Sequence, residues 1–217
     1  MLNFKAVLFD MDGIIVDSMP YHFISWFETL KKYNVRVRPS IIFEMEGAKW
    51  GHIIEVAFKD YQVELTPEIY SRICGQREEL FKKYFKRDIF LGIPEFIKHL
   101  KAQNILVGLV TGSLRREAQN MLPKELYNLF DTIVGGDTVT NAKPHPEPYL
   151  TAATNLKVNP QECLVIENAP YGIKSAKDAN MVCYAIATSL PEESLKMADK
   201  VFDKHKDLYN FLNLNKV

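Results

Sequence analysis

The sequence carries no surplus of charge: its 217 residues hold 27 Lys and Arg against 27 Asp and Glu. It also has no long run of like charge. This excludes a nucleic-acid or membrane-surface protein built on bulk charge, while leaving room for a local basic pocket. Cysteine is scarce. Cys74, Cys163 and Cys183 form no close pair with metal-ligand spacing, and an odd, sparse set fits a reducing compartment. Cys163 and Cys183 fall at or in apolar runs, where a free thiol is usually a small core residue. No apolar run is long enough to span a bilayer. The N-terminus lacks a basic segment followed by a long apolar stretch, and Asp10 interrupts it early. No repeat or low-complexity tract is evident. A soluble cytoplasmic protein with no membrane or nucleic-acid partner is expected.

What is present begins at Ala6-Val7-Leu8-Phe9-Asp10-Met11-Asp12-Gly13. A short apolar run, too short for a helix of its own, ends in two carboxylates one residue apart. Gly13 lets the backbone turn sharply after them. Two acids this close repel unless a cation or a shared proton holds them. They suggest a metal-assisted site in which one carboxylate attacks and the other moves protons. Taken alone, the string also reads as an acidic strand-to-turn junction.

Further along, Asp17-Ser18 reads as a capping pair before a helix at about 19–33, with Phe23, Trp26, Phe27 and Leu30 at helical spacing. Residues 40–87 are patterned as helices, Ile53, Ile54, Ala57 and Phe58 giving way to Tyr70, Ile73, Arg77, Leu80 and Phe81. From Leu91 onward helices at 93–102, 114–122, 146–156 and 171–179 alternate with apolar strands at 105–110, 132–134, 163–166 and 182–187. A last strand near Val201-Phe202 precedes a helix from about Asp207. This alternation predicts an α/β fold with a parallel sheet covered on both faces. The helical block is then an insertion: residues 1–15 and 90–217 form the core, and 16–89 an all-helical second domain.

Each core strand stops at polar chemistry, and in a parallel sheet these ends share one edge. The first stops at Asp10 and Asp12, the second at Thr111-Gly112-Ser113. The third leads to Lys143-Pro144-His145-Pro146, and the fourth stops at Glu167-Asn168. Phosphoryl transfer needs donors for phosphate oxygens, which Thr111 and Lys143 offer. A hard cation such as Mg²⁺ takes oxygen ligands, to which Asp10, Glu167 and Asn168 can contribute. Taken singly, Thr111-Gly112-Ser113 is a strand-to-helix turn capped by Ser113, and Lys143 a solvated loop lysine. Their joint order is much harder to obtain by chance.

These four motifs resemble those of the haloacid dehalogenase superfamily, in the β-phosphoglucomutase-like and phosphoglycolate phosphatase-like branch with a helical cap. The resemblance covers essentially the whole chain. It implies a Rossmann-like three-layer core with an inserted helical cap, and a Mg²⁺-dependent phosphatase acting on a small phosphorylated metabolite such as a sugar phosphate. It implies that Asp10 is the nucleophile, forming an aspartyl-phosphate, and that Asp12 is the acid/base. Thr111 and Lys143 would hold the phosphoryl group, with Gly112 and Ser113 beside it. Asp10, the Asp12 carbonyl and Glu167 or Asn168 would bind the metal. The fourth motif commonly carries two acids, and Asn168 departs from that pattern. Either it is a neutral ligand or Glu167 takes more of the load.

Tyr21-His22-Phe23 with Trp26 resembles the start of the cap in β-phosphoglucomutases, where the matching His couples substrate binding to the acid/base Asp. A hexose-phosphate mutase is therefore the alternative activity. A binding protein that kept the fold and lost the chemistry is a third, favoured only by Asn168. Gly47-Ala48-Lys49-Trp50 occupies the place of a cap loop that reaches the site in relatives, so Lys49 either touches substrate or is a surface lysine. His52, His99 and His205 are expected as surface or core residues, and His145 as a loop shaper. The sequence leaves a monomer or weak dimer open.

Overall fold

The computed structural model describes residues 4–61 and 64–212. Strand β1 (Ala6–Phe9) is followed by four helices: α1 (Met19–Lys31), α2 (Pro39–Glu44), α3 (Trp50–Phe58) and α4 (Pro67–Tyr84). Then come α5 (Ile93–Ala102), β2 (Leu106–Val110), α6 (Arg115–Met121), α7 (Lys124–Tyr127) and β3 (Thr132–Val134). The chain continues through α8 (Glu147–Leu156), β4 (Cys163–Glu167), α9 (Pro170–Asp178), β5 (Val182–Ile186), β6 (Lys200–Phe202) and α10 (His205–Phe211).

The six strands form one parallel sheet in the order β3-β2-β1-β4-β5-β6. This is the Rossmann-like order, in which the winding reverses between β1 and β4 and opens a crevice beyond their carboxyl ends. Alternation along β1 explains the layers. Val7 and Phe9 pack with Phe96 and Leu100 of α5, Ala118 of α6 and Leu208 of α10. Ala6 and Leu8 face the opposite layer, with Tyr149 and Ala152 of α8 and Ile173 of α9. Both faces are covered, as the near-continuous apolar strands require.

Helices α1–α4 bury a separate core of Trp26, Leu30, Ile42, Ile54, Phe58 and Ile73. This is the inserted helical cap. Its two connections pair with each other: Val16 bridges Ile89, the Asp17 amide donates to the Asp88 carbonyl at 2.9 Å, and the Phe90 amide donates to the Ile15 carbonyl at 3.0 Å. No helix among the described residues is long and apolar enough to cross a membrane.

The helix expected at 114–122 is α6, which ends where Leu122 takes an extended conformation before Pro123; the short α7 that follows is not expected from the sequence. One boundary needs correction. The last helix starts at His205 rather than Asp207, and its first residue is buried, its Nε2 2.7 Å from the Ile14 carbonyl.

Candidate active site

The site gathers at the crevice between β1 and β4. The Asp10 amide donates to the Ile166 carbonyl at 3.0 Å, so Asp10 still follows the sheet, and both Asp10 and Asp12 are fully buried. Gly13 then turns the chain with φ +87°, and a Cβ there would lie 2.1 Å from the Asn168 amide nitrogen. Glycine is needed for both reasons.

The two acids meet different surroundings. Lys143, also buried, donates from Nζ to Asp10 Oδ1 at 2.5 Å and to Glu167 Oε1 at 2.7 Å. Burial alone would favour its neutral form, but Asp10 and Glu167 more than offset this and keep the ammonium charged. Burial pushes the Asp10 carboxyl up to about 8, helped by Glu167 and Asp12 and opposed by Lys143. Asp12 instead accepts from the Ser18 hydroxyl at 2.5 Å and pairs with His22 Nε2 at 2.9 Å through Oδ1. The Thr111 hydroxyl reaches its Oδ2 at 3.4 Å. Burial works to raise Asp12, yet His22 and Ser18 prevail and hold it below the ordinary carboxylate range.

Arg77 sets how His22 does this. A guanidinium N–H of Arg77 points at His22 Nδ1. That nitrogen must therefore offer its lone pair, so the ring is neutral and donates Nε2–H to Asp12. Burial and the Arg77 charge both push the His22 ring down, against the pull of Asp12. Arg77 is itself buried, its guanidinium 4.5 Å from the Trp50 ring centre and 4.9 Å from that of Phe81. Burial draws it down to about 10, which leaves it charged at neutral pH.

Glu167 is saturated. Its Oε1 accepts from Lys143 and from the Tyr149 hydroxyl at 3.0 Å, and its Oε2 from the Asn168 and Ala169 amides at 2.7 and 3.1 Å. The carboxylate lies against Gly172, where a Cβ would be 1.6 Å from Oε1. By contrast, Asp10 Oδ2 and Asn168 Oδ1 are buried with no hydrogen-bond partner. The Asn168 amide nitrogen lies 3.5 Å from the Ser189 hydroxyl, so its oxygen is left free. No cluster of three or more His, Cys, Asp or Glu suited to a metal exists among the described residues. The available donors are one carboxylate and one amide oxygen, and such orphaned oxygens fit a hard cation.

Of the residues singled out from sequence, Asp10, Asp12, Thr111, Lys143, Glu167, Asn168 and His22 converge. Ser113 lies alongside, its amide donating to Thr111 Oγ1 at 3.1 Å. It does not cap α6, whose first turn is closed by the Glu117 carboxylate on the Leu114 amide at 2.9 Å. Ser18 likewise does not cap α1 with its side chain, because its hydroxyl is spent on Asp12. Lys49 is exposed and donates to the Thr140 carbonyl at 2.5 Å, while Gly47 and Trp50 of the same loop line a small cavity with His22 and Arg77. Arg77, Tyr149 and Glu46 are additions of the structure. The sequence signal for Arg77 is a charged residue placed on the apolar stripe of Ile73 and Phe81.

Residues 7–186 match the family model described as haloacid dehalogenase-like hydrolase. Over 211 residues the chain is 30% identical to the β-phosphoglucomutase of Bacillus subtilis, covering 94% of this chain and 91% of that one. It is 28% identical to a phosphorylated carbohydrates phosphatase of Thermotoga maritima, covering 86% and 87%. The crystal structure of a β-phosphoglucomutase from Clostridium difficile superposes with a TM-score of 0.84 at 27% identity, over 97% of this chain and 96% of that one. Fold, site order and sequence agree: the chain is an enzyme that belongs to the haloacid dehalogenase-like hydrolase family.

Proposed function

We propose that this enzyme is a Mg²⁺-dependent phosphatase that hydrolyses a small phosphorylated metabolite, a sugar phosphate, through an aspartyl-phosphate on Asp10. The observation that carries this is the split between the two acids. Asp10 divides its two oxygens: Oδ1 lies against the Lys143 ammonium, where an approaching anion is drawn, and Oδ2 is unpaired and free for a cation. Asp12, one residue on, is held by its own donors away from Lys143.

Asp10 attacks phosphorus while Lys143 offsets the negative charge that gathers. Asp12, ionised in the free site, takes up a proton with the incoming phosphate monoester, gives it to the leaving oxygen, then takes one from the water that cleaves the acyl phosphate. Thr111 and the Ser113 amide offer donors to the phosphoryl oxygens. A bound Mg²⁺ would neutralise phosphoryl charge. Asp10 Oδ2 and Asn168 Oδ1 would hold it, together with the Asp12 carbonyl. The saturation of Glu167 supports Asn168 as the ligand and Glu167 as the anchor of Lys143.

Residues 16–89 act as the cap over a core of 1–15 and 90–217. The same proposal puts the enzyme in the cytoplasm, as a monomer or weak dimer. The test is release of inorganic phosphate from a panel of phosphorylated metabolites with Mg²⁺ and with EDTA. No release from any member sinks the proposal.

A mutase is the second reading, favoured by the likeness to two β-phosphoglucomutases. Incubation with β-glucose 1-phosphate and a bisphosphate primer separates the two. Interconversion means mutase, and free phosphate means phosphatase.

A further inference from the structure

An ammonium has three protons, and that of Lys143 meets three acceptors: Asp10 Oδ1 at 2.5 Å, Glu167 Oε1 at 2.7 Å and the Val110 carbonyl at 3.2 Å. Its place is set by how strongly each acceptor pulls. The phosphoryl site needs the pull toward Asp10. Glu167 competes for the same charge, and a buried carboxylate oxygen with no other donor would draw the ammonium to itself.

Tyr149 stands at this junction. It lies on the first turn of α8 and is fully buried. Its hydroxyl donates to Glu167 Oε1 at 3.0 Å, the same oxygen that holds Lys143. The ring of the same side chain has its centre 5.1 Å from the Lys143 ammonium, within range of cation–π attraction. One residue thus gives a donor to the carboxylate and a negative ring face to the cation. The first contact spreads the Glu167 charge over two donors. The second holds the ammonium where both acids reach it. The backbone keeps the two side chains in step. The Glu147 carboxylate accepts from the Thr140 and Asn141 amides at 2.6 and 2.9 Å, and the Ser175 hydroxyl donates to the His145 carbonyl at 2.6 Å. The loop that carries Lys143 is therefore tied to the first turn of α8 and to α9.

We infer that Tyr149 is a positioning residue for the lysine that receives the phosphoryl group. By sharing Glu167 Oε1 and facing the ammonium with its ring, it divides the pull on Lys143 in favour of Asp10 and the incoming phosphate. Without the hydroxyl, Glu167 would draw Lys143 away from the phosphoryl group while leaving Asp10 Oδ2 and Asn168 Oδ1 as they are. The inference rests on the phosphatase reading in taking Lys143 as a phosphoryl contact.

Two calorimetric titrations test this without turnover: inorganic phosphate at saturating Mg²⁺, and Mg²⁺ alone. Tyr149→Phe keeps the ring and its packing and removes only the hydroxyl. It should weaken phosphate binding by about fivefold or more. Mg²⁺ binding should weaken by less than about twofold, because the hydroxyl touches neither oxygen offered to the cation. General loosening of the site would weaken both ligands together, so the split between them is what a merely structural role does not produce. Tyr149→Met fills the same space without the ring and is the second variant. It should weaken phosphate at least as far as Tyr149→Phe, again sparing Mg²⁺. Phosphate affinity unmoved in the folded variants, equal losses for the two ligands, or no phosphate binding by the unsubstituted enzyme would each overturn the inference. Hydrolysis of p-nitrophenyl phosphate by the unsubstituted enzyme keeps the two ideas separable. Its presence with phosphate affinity unmoved removes only the Tyr149 assignment, and its absence with the split as expected removes only the phosphatase.

Discussion

Gly112, at the end of β2, and Gly47, in the cap loop, meet backbone to backbone. A Cβ on Gly112 would lie 2.7 Å from Gly47 Cα and 3.1 Å from its carbonyl carbon. The cap thus rests on the core through two residues without side chains, directly above Lys143 and Thr111. Gly112→Ala should prop the cap open. We expect kcat/KM for a sugar phosphate to fall about tenfold or more, with a smaller loss for p-nitrophenyl phosphate, since closure excludes water and places cap groups. Equal kinetics for the variant and the parent enzyme would mean that this contact does not govern closure.

Asp10→Asn should abolish turnover, because an amide is a poor nucleophile. Asp12→Ala should slow hydrolysis of an alkyl phosphate by about 10²-fold or more through loss of the general acid. The loss should be smaller for p-nitrophenyl phosphate, whose leaving group needs no proton. Steady-state assays on both substrates check this, and equal losses would argue against the acid role.

His22 is buried and neutral, with its proton affinity depressed below the ordinary value of 6.5 by burial and by Arg77. As pH falls through 6.5, the unfolded chain takes up a proton that the folded one resists. Folding stability should therefore drop toward acid, at up to about 1.4 kcal/mol per pH unit from this group. His22→Gln keeps a donor for Asp12 and an acceptor for Arg77 but does not titrate. Its stability should fall less steeply between pH 6.5 and 5, as followed by urea unfolding. His205, also depressed by burial, remains in both proteins and cancels in the difference. Parallel curves would show that His22 is not held neutral.

Asn168→Asp would place a carboxylate where an orphaned amide oxygen now lies. Mg²⁺ should then bind more tightly, lowering both its calorimetric dissociation constant and the concentration that gives half-maximal activity. Unchanged titrations would put Asn168 outside the metal's ligands.

The sheet was legible because its strands are buried on both faces and read as continuous apolar runs ended by turns. The candidate site was legible where strand ends and motifs coincide, as at Asp10, Thr111, Lys143 and Glu167. Ser18 was not, because its sequence context is that of a cap and only the fold brings its hydroxyl to Asp12. Arg77 lies 55 positions from His22, and no local pattern predicts a guanidinium folded under two aromatic rings. Lys49 shows the converse: its loop reaches the core, but its ammonium is spent on the Thr140 carbonyl. Which of Glu167 and Asn168 is free for a metal depended on counting the donors around Glu167, four of them, from α8 and two separate loops.

The pairing of Val16 with Ile89 has a consequence for how such a chain can change. The whole cap leaves and re-enters at neighbouring points, so to the sheet it is one long turn between β1 and α5. Asp10, Asp12, Thr111, Lys143 and Glu167 are placed by strand ends and core loops that the turn does not interrupt, while Ser18 and His22 come from the turn itself. A different helical block spliced between the same two residues would inherit Asp10, Asp12, Thr111, Lys143 and Glu167, but would have to resupply the contacts that Ser18 and His22 make to Asp12. Substrate range can thus diversify by exchange of a module that restores these two contacts, while the acids and the lysine stay where the sheet puts them.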